Sequence, residues 1–461
     1  MSTYDLIIRN GKVISLQDLT DADIAVVAGR IIEVGPELEA KAAEEIDASG
    51  LHIFPGVIDA HLHFNEPGRA EWEGFETGTR ALAAGGTTLY FDMPLNSHPP
   101  TTDAAAFDMK LQAAERSSLV DFGLWGGLVP GNKDQMEKLV ERGVVGFKAF
   151  MSNSGIEDFA ASDDLTLYEG MAEAARLNSL VAVHAESDTI TSNLAARAVA
   201  QGRVGVRDYL ASRPVVAELE AIGRAILFAE ETGCRLHIVH VSCGRGVLMV
   251  AEAMSRGVDV SCETCPHYLV LTEEDVERLG AVAKCAPPLR DKNEREHLWQ
   301  LLADGTLPMV ASDHSPAPAH MKGGDDFFRV WGGISGCQSM LSLILTEGCS
   351  KRKLPLSTVA RMTAGYAAER FGVSTRKGRI EPGMDADLTL VDLGVSRALS
   401  AEDLFYRHRH SPYTGMTMQG QVRRTMVRGT TVFLDGKFAP APAGRLVKPE
   451  RVRRGQQGVI A

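Results

Sequence analysis

Between residues 53 and 312 the chain repeats one pattern eight times: a short apolar run, a break, then a segment with helical spacing. The runs fall at 53–60, 87–93, 121–129, 144–151, 180–184, 235–241, 258–262 and 308–312. Helix-like segments at 73–84, 103–116, 133–142, 165–177, 215–232 and 244–256 lie between them. Continuous apolar runs separated by helices predict parallel strands covered on both faces. Eight of them predict an α/β fold built as a closed (β/α)8 TIM-like barrel, with its chemistry at the C-terminal ends of the strands. An open doubly wound sheet would need a phosphate-binding glycine fingerprint after its first strand. The chain has none there.

The two ends read differently. YDLIIRNGKVI carries Asn10-Gly11, a hairpin signal, and IAVVAGRIIEVG repeats that logic through Ala28-Gly29-Arg30. Near the other end, 385–393 reads as a strand and 426–438 as a further hairpin. Strand-rich ends flanking an alternating middle predict a small β-sandwich domain made from residues 1–52 plus 377–461, and a barrel from 53–376. APAPAG at 439–444 reads as a connector to a polar tail.

A net charge of −12 argues against nucleic acid or anionic membrane as a partner. The chain has no run of about 18 apolar residues that would span a bilayer, and no secretory signal pattern at its start. Seven cysteines, all between Cys234 and Cys349, suit reduced thiols better than a disulfide framework. A cytoplasmic location is the expectation.

Polar residues cluster where the apolar runs end. The first run leads into Asp59, His61 and His63; side chains two apart share a strand face. The fourth carries Lys148, the fifth ends in His184, the sixth in His240 and the eighth in Asp313. Singly, each has an ordinary reading as a packed, capping, snorkelling or turn residue. Gathered on one rim, four imidazoles and a carboxylate predict a metal site. The lysine fits only if it is neutral. Desolvation and nearby cations lower its pKa, and a neutral amine can take up carbon dioxide to give a carbamate whose two oxygens bridge two metals. Two divalent ions about 3.5–4 Å apart can share a hydroxide and polarise a carbonyl. Asp313 can then accept the proton of the attacking hydroxide and deliver it to a leaving nitrogen.

Long strings around these residues resemble the cyclic amidohydrolases, the group of dihydroorotases, hydantoinases and allantoinases. HLHFNEPGRAEWEGFETGTRALAAGGTT, FDMPLNS, GFKAFMSNSGIEDF, CETCPHYL, AKCAPPLRD, SDHSPAP and WGGISGCQ are most similar to the allantoinase branch, and the likeness covers nearly the whole chain. It implies that His61, His63 and Asp313 bind one metal, that His184 and His240 bind a second, and that carboxylated Lys148 bridges them. It implies zinc, with manganese, cobalt or iron as alternatives, and a homotetramer. Asp59 is expected to orient one of the histidines.

Specificity is read from differences within that group. Asn65 stands two residues after His63, where dihydroorotases usually carry an arginine for the substrate carboxylate. Asn153 stands where hydantoinases usually carry a tyrosine. Asn96, Asn153, Ser315 and the backbone at Ala286 are the expected substrate contacts. The reaction implied is hydrolysis of the cyclic amide of allantoin to allantoate, in purine breakdown. The alternatives are a hydantoinase or dihydropyrimidinase, a dihydroorotase, or a catalytically inactive scaffold. The pair Cys262 and Cys265, and the histidines 237 and 314, are expected outside the site; His267 is a possible supporting residue, and Gly332-Gly333 a possible lining of the substrate loop.

Overall fold

The computed structural model describes residues 4–451, so the end of the 377–461 segment and residues 1–3 lie outside the described residues. Val57–Leu62, Thr87–Asp92 and Asp121–Leu124 pair in parallel, in that order. Gly126–Gly127, Phe147–Phe150, Leu180–His184, Arg235–Ile238 and Val260–Cys262 form a second parallel run. Two seams close the ring. Val145 N donates to Leu124 O, and parallel bridges Thr264–Val310 and Leu62–His314 fit the eighth position between the seventh and the first. The result is the eight-position parallel barrel that the alternation predicts.

Its helices lie near their expected places. Phe75–Ala84, Asp164–Arg176, Val215–Thr232 and Gly244–Ser255 each follow a barrel strand. The Asp103 side chain starts Ala104–Ser117 by accepting from Ala106 N, and Asp163 starts Asp164–Arg176 by accepting from Thr166 N. Each satisfies one of the free N–H groups of a first helical turn.

The first apolar run is two strands rather than one. His52–Pro55 pairs with Leu388–Ala398 and with Tyr4–Ile14, outside the barrel. The chain crosses into the barrel at Gly56, where a Cβ would sit 2.1 Å from Thr88 Oγ1. Only glycine allows that passage.

Strands from both ends of the chain join in one nine-stranded sheet. It wraps a core of its own, including Ile8, Ile24, Ile53, Leu388 and Met426. Asn10-Gly11 does not make a hairpin: Tyr4–Ile14 is one strand with a bulge there. Asn10 takes φ 60°, and its N donates to Asp23 Oδ1 at 2.9 Å, so a bulge uses the turn chemistry that the sequence offers. The chain reverses later, at Ser15–Asp18, so that Ile14 faces Leu19. The hairpins at Ala28-Gly29 and Arg428-Gly429 form as expected.

A polar seam joins sheet to barrel at the far end from the strand C-termini. Lys377 Nζ lies 2.6 Å from Asp121 Oδ2, 3.0 Å from Asp385 Oδ2 and 2.5 Å from Asp387 Oδ2. Arg428 also pairs with Asp121. The connector ends here: Gly444 N donates to Ser118 O and Val447 N to Phe122 O, so the last described residues run along the barrel floor.

Candidate metal centre

The strand C-termini bring the six expected side chains to one place. His61 and His63 flank the end of Val57–Leu62, with ring centroids 5.7 Å apart. Asp313 Oδ1 lies 3.3 Å from His61 Nε2 and 3.5 Å from His63 Nε2. Across the mouth, His184 Nδ1 faces His240 Nε2 at 3.0 Å, and the rings of His61 and His240 are 5.3 Å apart. Lys148 projects from Phe147–Phe150 with its Nζ 5.2 Å from the Phe150 ring, which stacks on His184.

Two of these residues leave regular strand geometry to get there. His240 has φ 41° and Asp313 φ 44°. Such left-handed backbone is uncommon for residues with a Cβ and gathers at functional sites. It also breaks the alternation that carries Arg235–Ile238, so His240 turns into the mouth.

Burial is the main electrostatic force. It pushes His61, His184 and His240 below the ordinary imidazole range, leaving neutral rings with lone pairs to donate. It brings Lys148 down to about 7, against the opposing pull of Asp313, Glu263 and Cys265. The Lys148 amine is fully buried and has no hydrogen-bond partner among the described residues. His63 Nδ1 and His240 Nδ1 are likewise unpartnered.

These features fit divalent cations. Ligand atoms of His61, His63 and Asp313 all lie within 4.8 Å of one another. His61 Nδ1 lies 2.6 Å from Glu263 Oε1; with Glu263 ionised the proton sits on Nδ1 and the Nε2 lone pair is turned toward the Asp313 carboxylate. A lone pair facing an anion at 3.3 Å calls for a cation between them. His184 Nδ1 and His240 Nε2 share one hydrogen bond when either carries the proton, and offer a second pair of nitrogens to a cation when neither does.

Three supporting residues escaped the sequence analysis. Glu263 bonds His61; Glu186 Oε2 lies 2.8 Å from His184 Nε2; Arg213 pairs with Glu186 from the cavity wall. Glu263 was hidden between Cys262 and Cys265, and Glu186 two residues beyond a strand end. Among the described residues Asp59 makes no hydrogen bond to an imidazole. Its Oδ1 accepts from Ser312 N at 3.0 Å and His61 N at 3.4 Å, so it ties the eighth position to the first strand through backbone. Burial raises its pKa to about 6.

His237 stays off the cavity wall but binds Glu263. His314 turns away toward Phe64, Tyr406 and Gly336 N. Cys262 and Cys265 are buried free thiols. His267 is buried with both nitrogens unpartnered, near Cys265 and Asp313.

The histidines and Asp313 open into a cavity of about 340 Å³, a size suited to a small molecule. Asn96, Asn153, Ala286 and Ser315 all line it, as do Arg213 and Gly332-Gly333.

A profile of the Amidohydrolase family matches residues 52–432. The chain is 60% identical to an allantoinase of Rubrobacter xylanophilus, over 98% of this chain and 99% of that one. It is 42% identical to an allantoinase of Escherichia coli, over 96% and 99%. Among solved structures, the L-hydantoinase (dihydropyrimidinase) of Arthrobacter aurescens superposes with a TM-score of 0.94 at 36% identity, over 97% of this chain and all of that one.

Proposed function

We infer the reaction from the family: this chain belongs to the amidohydrolase family, and relatives similar to it along nearly their whole length are allantoinases. It is a metal-dependent cyclic amidohydrolase that hydrolyses the ring amide of allantoin to allantoate. One observation carries the chemistry: neutral imidazoles and Asp313 converge beside a buried amine with no hydrogen-bond partner among the described residues.

Our reading gives His61, His63 and Asp313 one divalent ion, His184 and His240 another, and Lys148, carboxylated, a place between them. Zinc suits this mixture of imidazole and carboxylate. When bound, the ions polarise the amide carbonyl and make water a nucleophile near neutral pH. The chain does the rest. Asp313 takes the proton of the attacking water and returns it to the ring nitrogen as the C–N bond breaks, acting as base and then acid. Asn96, Asn153, Ser315 and the backbone at Ala286 hold the ring and its ureido arm by hydrogen bonds. The 53–376 segment, from Gly56 onward, serves as the catalytic barrel, and 1–52 with 377–461, together with the strand His52–Pro55, as the supporting domain.

The working form on this reading is a homotetramer in the cytoplasm. Seven unpaired cysteines agree with a reducing compartment, and no helix among the described residues is long and apolar enough to cross a membrane.

A panel of allantoin, hydantoin, dihydrouracil and dihydroorotate tests the assignment on metal-replete enzyme. Allantoin is expected to lead in kcat/KM by at least about tenfold, ~1.4 kcal/mol of transition-state preference. Faster turnover of hydantoin would transfer the assignment to the hydantoinases.

A further inference from the structure

Two lysine amines outside the metal cluster reach one stretch of the cavity wall. Residues 328–333 line the cavity, and the segment from Phe327 to Gly333 is made of turns and irregular backbone. Lys284 Nζ donates to Phe327 O at 2.6 Å and also to Val330 O. Lys322 Nζ donates to Gly333 O at 2.5 Å, to Trp331 O at 3.1 Å and, outside the segment, to Ala281 O at 3.4 Å. We propose that Lys284 and Lys322 are positioning residues that hold this segment as a fixed wall of the substrate cavity, so that their loss weakens substrate binding and leaves metal binding intact. The proposal rests on the reading of the cavity as the substrate site.

An irregular segment has no helix or sheet ladder to satisfy its backbone, and ordering it costs conformational entropy. Here the ends are tied by main chain. Phe327 N donates to Val204 O at 2.8 Å, and Ile334, the next residue after the segment, accepts from Ser315 N at 2.9 Å. Between them, the carbonyls of Phe327, Val330, Trp331 and Gly333 have no donor but the two lysines among the described residues. The main chain beside each lysine joins in: Gly333 N donates to Lys284 O at 2.7 Å, and Trp331 N to Met321 O at 2.9 Å. The two anchors stand on different loops, Lys284 just after the short helix Gly280–Ala283 and Lys322 at the end of Ala319–Lys322. The segment cannot drift with either loop without breaking bonds to the other.

Lys284 is enclosed by aromatic faces, its Nζ 4.6 Å from the Tyr209 ring and 5.3 Å from the Phe327 ring. Burial lowers its pKa to about 8, and burial with Lys284 nearby lowers that of Lys322 to about 7. The bonds survive either charge state, because a neutral amine keeps two N–H donors and each lysine serves two carbonyls of the segment. The wall they hold is tightly fitted. Gly333 has φ 133°, and a Cβ there would lie 2.3 Å from Ser315 O. Ser315 is one of the expected substrate contacts, so a segment that loosens opens the cavity beside it.

The test uses Lys284→Met and Lys322→Met in the metal-replete full chain; methionine keeps an apolar stem and removes the donors. Without substrate, hydrogen exchange read by mass spectrometry should be faster over 327–333 in both variants and unchanged in the strand Leu180–His184. With allantoin, KM should rise about tenfold in each, the effect of losing one or two hydrogen bonds, while kcat stays within about threefold and bound metal equals wild type. Unchanged exchange in both variants would overturn the clamp. Faster exchange with an unaltered KM, or a loss carried by kcat or by metal, would overturn its role in holding substrate. Should Lys284→Met fail to fold, Lys322→Met, at a half-buried position, decides alone. The exchange measurement needs no substrate, so it judges the clamp even where the panel above moves the assignment to another cyclic amide; KM is then read with that amide.

Discussion

Lys148 and Lys377 are both buried lysines inside one molecule, and they hold opposite states. Lys377 sits in the seam among Asp121, Asp385 and Asp387. Burial pulls its pKa down, but the three carboxylates outweigh that and raise it above the ordinary lysine range. Lys148 is equally hidden, yet among the described residues no hydrogen-bond acceptor meets its amine, and burial takes it down to about 7. Burial alone therefore does not make a reactive amine. What matters is whether the fold supplies a partner anion. The seam supplies three and gains an anchor between sheet and barrel. At the mouth Asp313 and Glu263 pull on Lys148 without a hydrogen bond to it among the described residues, and burial prevails.

The comparison breaks most sharply if each lysine is removed. Lys148→Ala should cut kcat/KM by about 10²–10³-fold, the usual cost of losing a central electrostatic element, with bound metal falling below one per chain. Its far-ultraviolet circular dichroism should match wild type. Short carboxylic acids should restore some metal and some rate; unchanged metal content would remove the lysine bridge from the mechanism.

Lys377→Met should do the reverse. Leaving three carboxylates buried without their cation costs about 3–5 kcal/mol of stability, read as a lower midpoint in urea. The folded fraction should keep its kcat/KM within about twofold at low temperature. Unaltered stability would mean that Arg428 and the backbone suffice to hold the seam.

The pH dependence sharpens the contrast. In metal-free protein Lys148 has a folded pKa near 7 against 10.5 for an ordinary lysine. Between those values the unfolded chain binds the extra proton, so Lys148 makes stability rise with pH across that window. Lys377 is raised, so its contribution is complete below 10.5 and is lost only at higher pH. Subtracting the Tm profile of metal-free Lys148→Met from that of wild type, from pH 7 to 10, should leave a rising difference. A flat one would show that Lys148 keeps an ordinary lysine pKa in the folded metal-free chain.

The smallest expected effects lie at the cavity wall. Asn153→Ala and Ser315→Ala each remove one hydrogen bond, about 0.5–1.5 kcal/mol, so kcat/KM for allantoin should fall roughly two- to tenfold with metal content intact. A fall confined to hydantoin would show that these residues do not read the ureido arm.

Much of this was legible in the chain. The eight runs located the barrel, and their ends located His61, His63, Lys148, His184, His240 and Asp313. Alternation also kept His237 off the cavity wall. It failed where local conformation departed from the pattern. Asn10-Gly11 promised a turn, and Asp23, supplied by the next strand, made it a bulge. Asp59 shared a face with two histidines, but Ser312 N reached it from the eighth position. Glu263 was missed because its partner His61 lies 202 residues away, across the barrel. A cysteine on either side of it drew attention to sulfur.

By itself, the order of residues determined the repeating strand–helix unit, and with it the rim on which polar groups had to collect, because burial periodicity is a local property of the chain. Tertiary structure alone decided which of those groups have partners. Closing the ring set Glu263 against His61 and Arg213 against Glu186, bonded Lys377 to acid and left Lys148 without a hydrogen-bond partner among the described residues. Charge state depends on what stands a few ångströms off in space, and no spacing along the sequence encodes that distance.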